Sequence, residues 1–277
     1  ENLKDFLLPE GLWRDVSDFG AGTTLNIKTV GTVTIQDGQE DTPLNFNPID
    51  TGTITLSITD YIGDAWKVSD ELREDGAQVE ALMSMRALES TRALGEYHES
   101  RFLSVANAAQ TAAAVNLVNG RPHRWIAGGS GATTRVMTLS DFVAMKLAFD
   151  KAKVPAAGRI AIVDPIVEAS LNSITNLVSV SNNPMFEGIV TEGFARDHKF
   201  VKNIFGFDIW TSNYLPVKTG SEAINASSYG LANTTAAAGD VANIFMSVAD
   251  DNTKPVMHAW RRAPKTEGWR DSEERAD

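Results

Sequence analysis

The sequence of 277 residues has no cysteine. That excludes disulfide frameworks, thiol nucleophiles and cysteine-ligated zinc, and it suits a reducing cytoplasm or a cohesion drawn from another source. Long apolar runs are missing as well: none approaches the roughly 18 residues of a membrane-spanning helix. The opening ENLKDF carries no charged-then-apolar leader, and a first residue of Glu1 leads us to expect a longer or processed polypeptide. Basic residues are scarce, 25 against 36 acids for a net charge of −11. Gripping nucleic acid broadly needs clustered Lys and Arg, so the excess of acids reads as a solubilising surface instead.

Catalytic signatures are also wanting. The histidines His98, His123, His198 and His258 form no HExxH or paired metal spacing. The glycine-rich stretch GGSGATT (128–134) lacks the spacing of a nucleophile elbow and the lysine of a phosphate-cradling loop, and it reads as a turn. Asp164, at the end of a short strand, sits where catalytic acids are often found, yet Asp-Pro at that place more simply caps a helix. The nearest thing to a basic-aromatic patch is Trp260, Arg261, Arg262, Trp269 and Arg270. Acids at Glu267, Asp271, Glu273 and Glu274 dilute it toward a salt-bridged interface or edge strand. No catalytic, cofactor-binding or metal residue is assigned, and no cofactor is expected.

What is present is pattern. Residues 1–22 mix Leu3, Phe6, Leu7, Leu8, Leu12 and Trp13 with acids and glycine, which suits an arm packed on something. In TLNIKTVGTVTIQ the apolar residues Leu25, Ile27, Val33 and Ile35 all take odd positions. In TGTITLSITD, Ile54, Leu56 and Ile58 alternate with Thr and Ser. Alternation of this kind predicts two half-buried strands joined by the long loop DGQEDTPLNFNPID. A two-stranded hairpin is marginal alone in water, so its apolar face must find cover.

A long helix follows. Ser69 or Asp70 caps its first turn, and Val79, Leu82, Met83, Leu94, Tyr97 and Val105 contribute an apolar stripe. Taken as one helix from Gln78 to Ala109 it is roughly 48 Å long, with Gly95 as a possible break. From Thr138 the pattern turns α/β. LSDFVAMKLAFDKAKV is an amphipathic helix with Leu139, Phe142, Val143, Leu147 and Val154 as its apolar markers. RIAIVDP is a buried strand, IVEASLNSITNLVSV a second helix, and a third helical piece is expected from Val190 to Asn203. IFGFDIWTSNYLP gives another strand, residues 217–240 a polar surface excursion, and NIFMSVADDNTKPVMHAWRRAP two strands around a turn at Asp251 and Asn252.

The order of arm, hairpin, long helix, α/β body and returning strands, with WKVSDELRED, VPAAGRIAIVDP and IFGFDIWTSNYLP in place, resembles the major capsid proteins of tailed bacteriophages, whose fold is named after the Hong Kong 97 phage. The resemblance covers nearly the whole chain. It implies an α+β fold with an N-terminal arm (1–22), an extended loop (23–60), a peripheral domain built on the spine helix (61–125), an axial domain (126–245) and a return to the peripheral domain (246–277). It also implies a non-enzymatic subunit that assembles through pentamers and hexamers into an icosahedral shell around double-stranded DNA. The expected partners are copies of itself, with scaffolding, portal and decoration proteins beside them. DNA would be touched weakly and non-specifically, and no membrane is involved. The location would be the virion, after assembly in the cytoplasm of a host bacterium. Leu25, Ile27, Lys28, Ile54, Leu56, Ile58 and Trp13 are the candidate inter-subunit contacts. Some relatives join Lys to Asn covalently, and Lys28 is the only lysine of this hairpin. Two features depart from the pattern: the sequence stops at Asp277 in a charged stretch, and no cleaved scaffold segment is visible. The alternatives are an encapsulin-type compartment filled with protein cargo and, from another class, a cytosolic α/β hydrolase or transferase.

Overall fold

In the computed structural model of the chain, the described residues are 8, 11–16, 22–30, 35–38, 40, 43, 46, 49, 51–76, 78–107, 117, 118, 121–126, 137–173, 203–220, 222–224, 234–236, 238–252, 254–262 and 265–269. The first elements are β1 (Arg14–Asp15), β2 (Thr24–Val30), β3 (Thr51–Ser57), α1 (Asp70–Asp75) and α2 (Val79–Asn107). Next come β4 (Leu117–Val118), β5 (Arg121–Pro122), β6 (Arg124–Ile126), α3 (Leu139–Lys151), β7 (Arg159–Val163) and α4 (Pro165–Asn172). The remainder are β8 (Asn203–Ile204), β9 (Phe207–Thr211), β10 (Glu222–Ile224), β11 (Thr234–Ala236), β12 (Ala242–Ser247) and β13 (Met257–His258).

The chain divides into two compact units: Glu1–Arg14 with Gly76–Met257, and Asp15–Asp75 with His258–Asp277. The first is built on a five-stranded sheet in the order β6-β12-β7-β9-β8. Strands β7 and β9 run parallel, while β12 is antiparallel to both β6 and β7. Alternate side chains of the sheet enter two separate cores. Ala161, Val163, Phe207, Ile209 and Phe245 pack with Phe142, Met145 and Phe149 of α3 and Val167 and Leu171 of α4. Ile160, Ile162, Ile244 and Met246 pack with Phe102, Leu103 and Ala106 of α2 and with Leu12. A strand covered on both faces is buried throughout, as all five residues of RIAIV are, four of them apolar and Arg159 hydrogen-bonded.

VPAAGRIAIVDP is scaffold. Arg159 is buried with each guanidinium nitrogen partnered: Nε donates to Pro155 O at 2.9 Å, Nη2 to Val154 O at 2.6 Å, and Nη1 meets Asp150 Oδ1 at 2.7 Å. These bonds lock the end of α3 to the start of β7. Gly158 has φ of 69°, and a Cβ there would lie 2.7 Å from the backbone of Ala249, so only glycine fits. Asp164 caps α4, its side chain accepting from Ile166 N–H at 3.2 Å, with Pro165 in the first turn.

Several expectations need correction. The α3 face turned to the core is Phe142, Ala144, Met145, Ala148 and Phe149, whereas Val143 and Leu147 are exposed. Spacings of three and four put Phe142, Met145 and Phe149 in one row, and the alanines let the helix sit close. Val143 and Leu147 lie on the other side, about 100–160° from each member of that row. In α2 the buried residues are Val79, Glu99, Phe102, Leu103, Ala106 and Asn107, while Leu82, Tyr97 and Val105 are exposed. Apart from Val79, then, it is the last turns of this 29-residue helix that are buried. Gly95 does not break it. Ser69 does cap α1, accepting from Leu72 N–H at 3.3 Å. The two strands around Asp251 exist, but they do not pair with each other, because β12 is already bonded on both sides by β6 and β7. Asn203 is in a strand rather than a helix; the rest of that predicted helix, like GGSGATT, lies outside the described residues.

Candidate inter-subunit surfaces

The second unit is where the alternating pattern falls. Strands β2 and β3 pair antiparallel, with Leu25 opposite Leu56, Ile27 opposite Ile54 and Thr29 opposite Gly52. Residues directly opposite share a face, so these pairs make one apolar side. Thr24, Asn26, Lys28 and Val30, opposite Ser57, Thr55, Thr53 and Thr51, make the other. On that second side Thr55 Oγ1 donates to Asn26 Oδ1 at 3.0 Å. The hairpin is two-faced as a half-buried sheet should be, yet its apolar face is only partly covered. Leu25, Ile27, Leu56 and Ile58 are half-buried and Ile54 is 44% exposed.

No described residue of this unit is buried. Ile35, Phe46, Ile49, Tyr61 and Trp269 are largely exposed, Phe46 completely. Scattered exposed apolar residues are ordinary, but a unit with none of its described residues buried is not how a chain stabilises itself in isolation. Trp260, Arg261 and Arg262 are exposed too.

Trp13 is placed differently from the hairpin residues. Its ring stands edge-on to His98 at 4.9 Å and tilted against Phe102 at 5.5 Å, within the first unit. Leu8 and Leu12 join the same core, and Leu8 N–H donates to Glu99 Oε2 at 2.7 Å. Leu8, Leu12 and Trp13 of the arm therefore pack on α2 of their own chain. Lys28 is exposed on the polar face of the hairpin. Covalent joining to Asn needs a desolvated amine beside a carboxylate, and within the single chain Lys28 is exposed. Denatured assembled material is expected to show monomer-mass chains only; a ladder of multiples in denaturing mass spectrometry would show the opposite.

The described polar clusters of the first unit are structural ties. Glu99, buried in α2, accepts from Leu8 N–H and, at Oε1, from Ser212 Oγ at 2.6 Å. Nearby Tyr214 has its pKa raised by partial burial and by its bond with Glu96. Thr211 Oγ1 donates to Glu168 Oε2 at 2.5 Å, holding α4 to the end of β9. His123 Nε2 bonds Ala106 O at 2.8 Å. Among the described residues no three His, Asp or Glu converge as metal ligands, and no described helix is long and apolar enough to cross a membrane. Sequence reasoning missed Glu99 and Asn243, whose partners lie far along the chain.

No family model and no curated protein matches this sequence. Solved structures do. A chain from the capsid of the cyanophage P-SCSP1u superposes with a TM-score of 0.53 at 16% identity, covering 95% of this chain and 91% of that one. The fold is a phage capsid fold. A chain of the mature capsid of bacteriophage PhiM1 matches with a TM-score of 0.48 at 14% identity, over 78% of this chain and 66% of that one. One from Mycobacterium phage Che8 gives 0.43 at 16%, over 81% and 79%. Neither of these two bears on the assignment. The capsid fold accommodates both units, since the cyanophage match leaves only a small part of either chain uncovered.

Proposed function

We propose that this chain is the major capsid protein of a tailed bacteriophage, a structural subunit that forms pentamers and hexamers and through them an icosahedral shell around double-stranded DNA. One observation carries the reading: a chain with a capsid fold devotes a whole unit to an apolar-faced hairpin and exposed aromatic residues, with no described residue buried. Such a unit gains its cover from a neighbouring copy. Repeated around a closed ring, the same surface is satisfied in every subunit. Weak contacts held in many copies then supply cohesion without disulfides, because each further contact is effectively intramolecular. A net charge of −11 fits a container better than a DNA-binding protein, since contact with the packaged polymer need only be loose. In this reading the subunit has no catalytic role, and the particle assembles in the host cytoplasm with portal and scaffolding proteins as further partners.

The test is electron microscopy and sedimentation of the purified chain. Closed particles, or ring-shaped capsomers that convert to them, are expected, with nuclease-protected DNA inside particles recovered from infected cells. Protein cargo in place of DNA favours the encapsulin-type alternative. A stable monomer at micromolar concentration, with the hairpin amides fully protected from exchange, overturns the proposal.

A further inference from the structure

Strands β8 and β9 are joined by the two-residue turn Phe205-Gly206, with φ of 50° and 88°. Two consecutive positive φ values give the turn whose twist matches a hairpin, and Asn-Gly or Gly-Gly is preferred there because a bulky side chain crowds the backbone. Phenylalanine is a poor choice at the first position. Lys153, the other described non-glycine residue with positive φ, sits just past the end of α3, where such a conformation is a routine helix stop.

The turn does not depend on the ring. Asn203 already braces it, accepting from Gly206 N–H at 3.1 Å and donating to Asp208 Oδ1 at 2.7 Å. Nor does the ring serve the core. Ile204 and Phe207 on either side are buried, while Phe205 is 43% exposed. Strand β8 is the last of its sheet, and among the described residues no strand pairs with its outer side. A braced tip, on a strand whose outer side pairs with no described strand, thus carries an aromatic residue that strains the backbone and stays 43% exposed. Residues that break a local rule without a local gain mark functional positions.

We propose that Phe205 is a contact residue for a second copy of this chain, its ring packing against the neighbouring subunit in the ring-shaped assembly. The inference rests on the shell reading above. Identical copies carrying a net charge of −11 repel each other. A contact between them is therefore best made by an uncharged group, and an aromatic ring gives a large contact area for little lost rotamer freedom.

Phe205→Asn tests this in two directions at once. Asparagine tolerates positive φ, so the unassembled subunit melts about 2–4 °C higher than the parent. The concentration needed for particle formation rises by roughly tenfold or more, because the contact is lost. Phe205→Tyr, which keeps the ring, assembles at the parent concentration. A Phe205→Asn subunit that assembles like the parent overturns the proposal. So does one that melts lower, since the ring would then be held within its own chain. A parent chain that forms no particles at any concentration sinks the shell reading and this contact with it, whereas parent particles with an unaffected Asn variant sink the contact alone.

Discussion

Replacing Ile54 and Leu56 together by aspartate abolishes particle formation while leaving the folded body intact. Both side chains lie on the apolar face of the hairpin, and neither belongs to the two cores of the first unit. Ile54 is 44% exposed and Leu56 half-buried, so neither change empties a core position within the chain. Substitutions at such positions stay within about 0.5 kcal/mol, and the thermal midpoint of the unassembled subunit moves by about 2 °C at most. Between copies the arithmetic is different. In the proposed shell, two carboxylates on a face covered by a neighbour require their desolvation, at several kcal/mol each without a partner. The penalty recurs in every subunit of a closed assembly.

The control is the opposite face. Thr53→Asp places one new charge across from Lys28 on the polar side, and particles are expected to form as before. Because side chains alternate with period two, residues one apart in sequence give opposite outcomes, which no general loss of solubility reproduces. Sedimentation velocity reads both results. Double-aspartate subunits that still form closed particles would remove the hairpin from the interface.

How much of this was legible in the sequence depends on the distance over which each interaction acts. The hairpin was legible because alternation is local, and the register then aligns the odd positions of β2 with the even positions of β3 on one face. The strand RIAIV and the Asp164 cap were legible for the same reason, since Asp164 acts two residues away. The face of α3 was not. Two interleaved apolar rows occur in LSDFVAMKLAFDK, and choosing Phe142, Met145 and Phe149 over Val143 and Leu147 requires knowing where the sheet lies. Glu99 gave no signal, because the Ser212 hydroxyl that justifies its burial comes 113 residues later. The candidate contacts were legible only as uncovered apolar pattern, and for Trp13 that pattern finds cover on α2. Phe205 was hidden inside a strand pattern whose turn is visible only once φ is known.

The largest loss of stability from a single side chain is expected at Asn243. It lies in β12, fully buried, one polar residue in the apolar run VANIFM. Its Oδ1 accepts from Asp164 N–H at 3.0 Å and its Nδ2 donates to Trp125 O at 3.1 Å. One amide thus joins the edge strand β6, the central strand β12 and the turn from β7 into α4, across sequence separations of 79 and 118 residues. Asn243→Ala strands a buried donor and a buried acceptor together. Each costs about 1–3 kcal/mol, so a loss of about 3 kcal/mol or more is expected, lowering the thermal midpoint by about 6–12 °C. Asn243→Asp is expected to be worse, since it keeps the acceptor, loses the donor and sets a carboxylate against the Trp125 carbonyl at a fully buried position. Asp164→Ala, by contrast, removes a half-buried cap and costs about 1 kcal/mol, because the backbone N–H that Asn243 holds is unchanged. Circular dichroism melts of the three variants order them Asp164→Ala, Asn243→Ala, Asn243→Asp by increasing loss. An Asn243→Ala melt within 2 °C of the parent would mean that water replaces the amide. The junction would then be held by the apolar packing of Val163, Val167 and Phe245 alone.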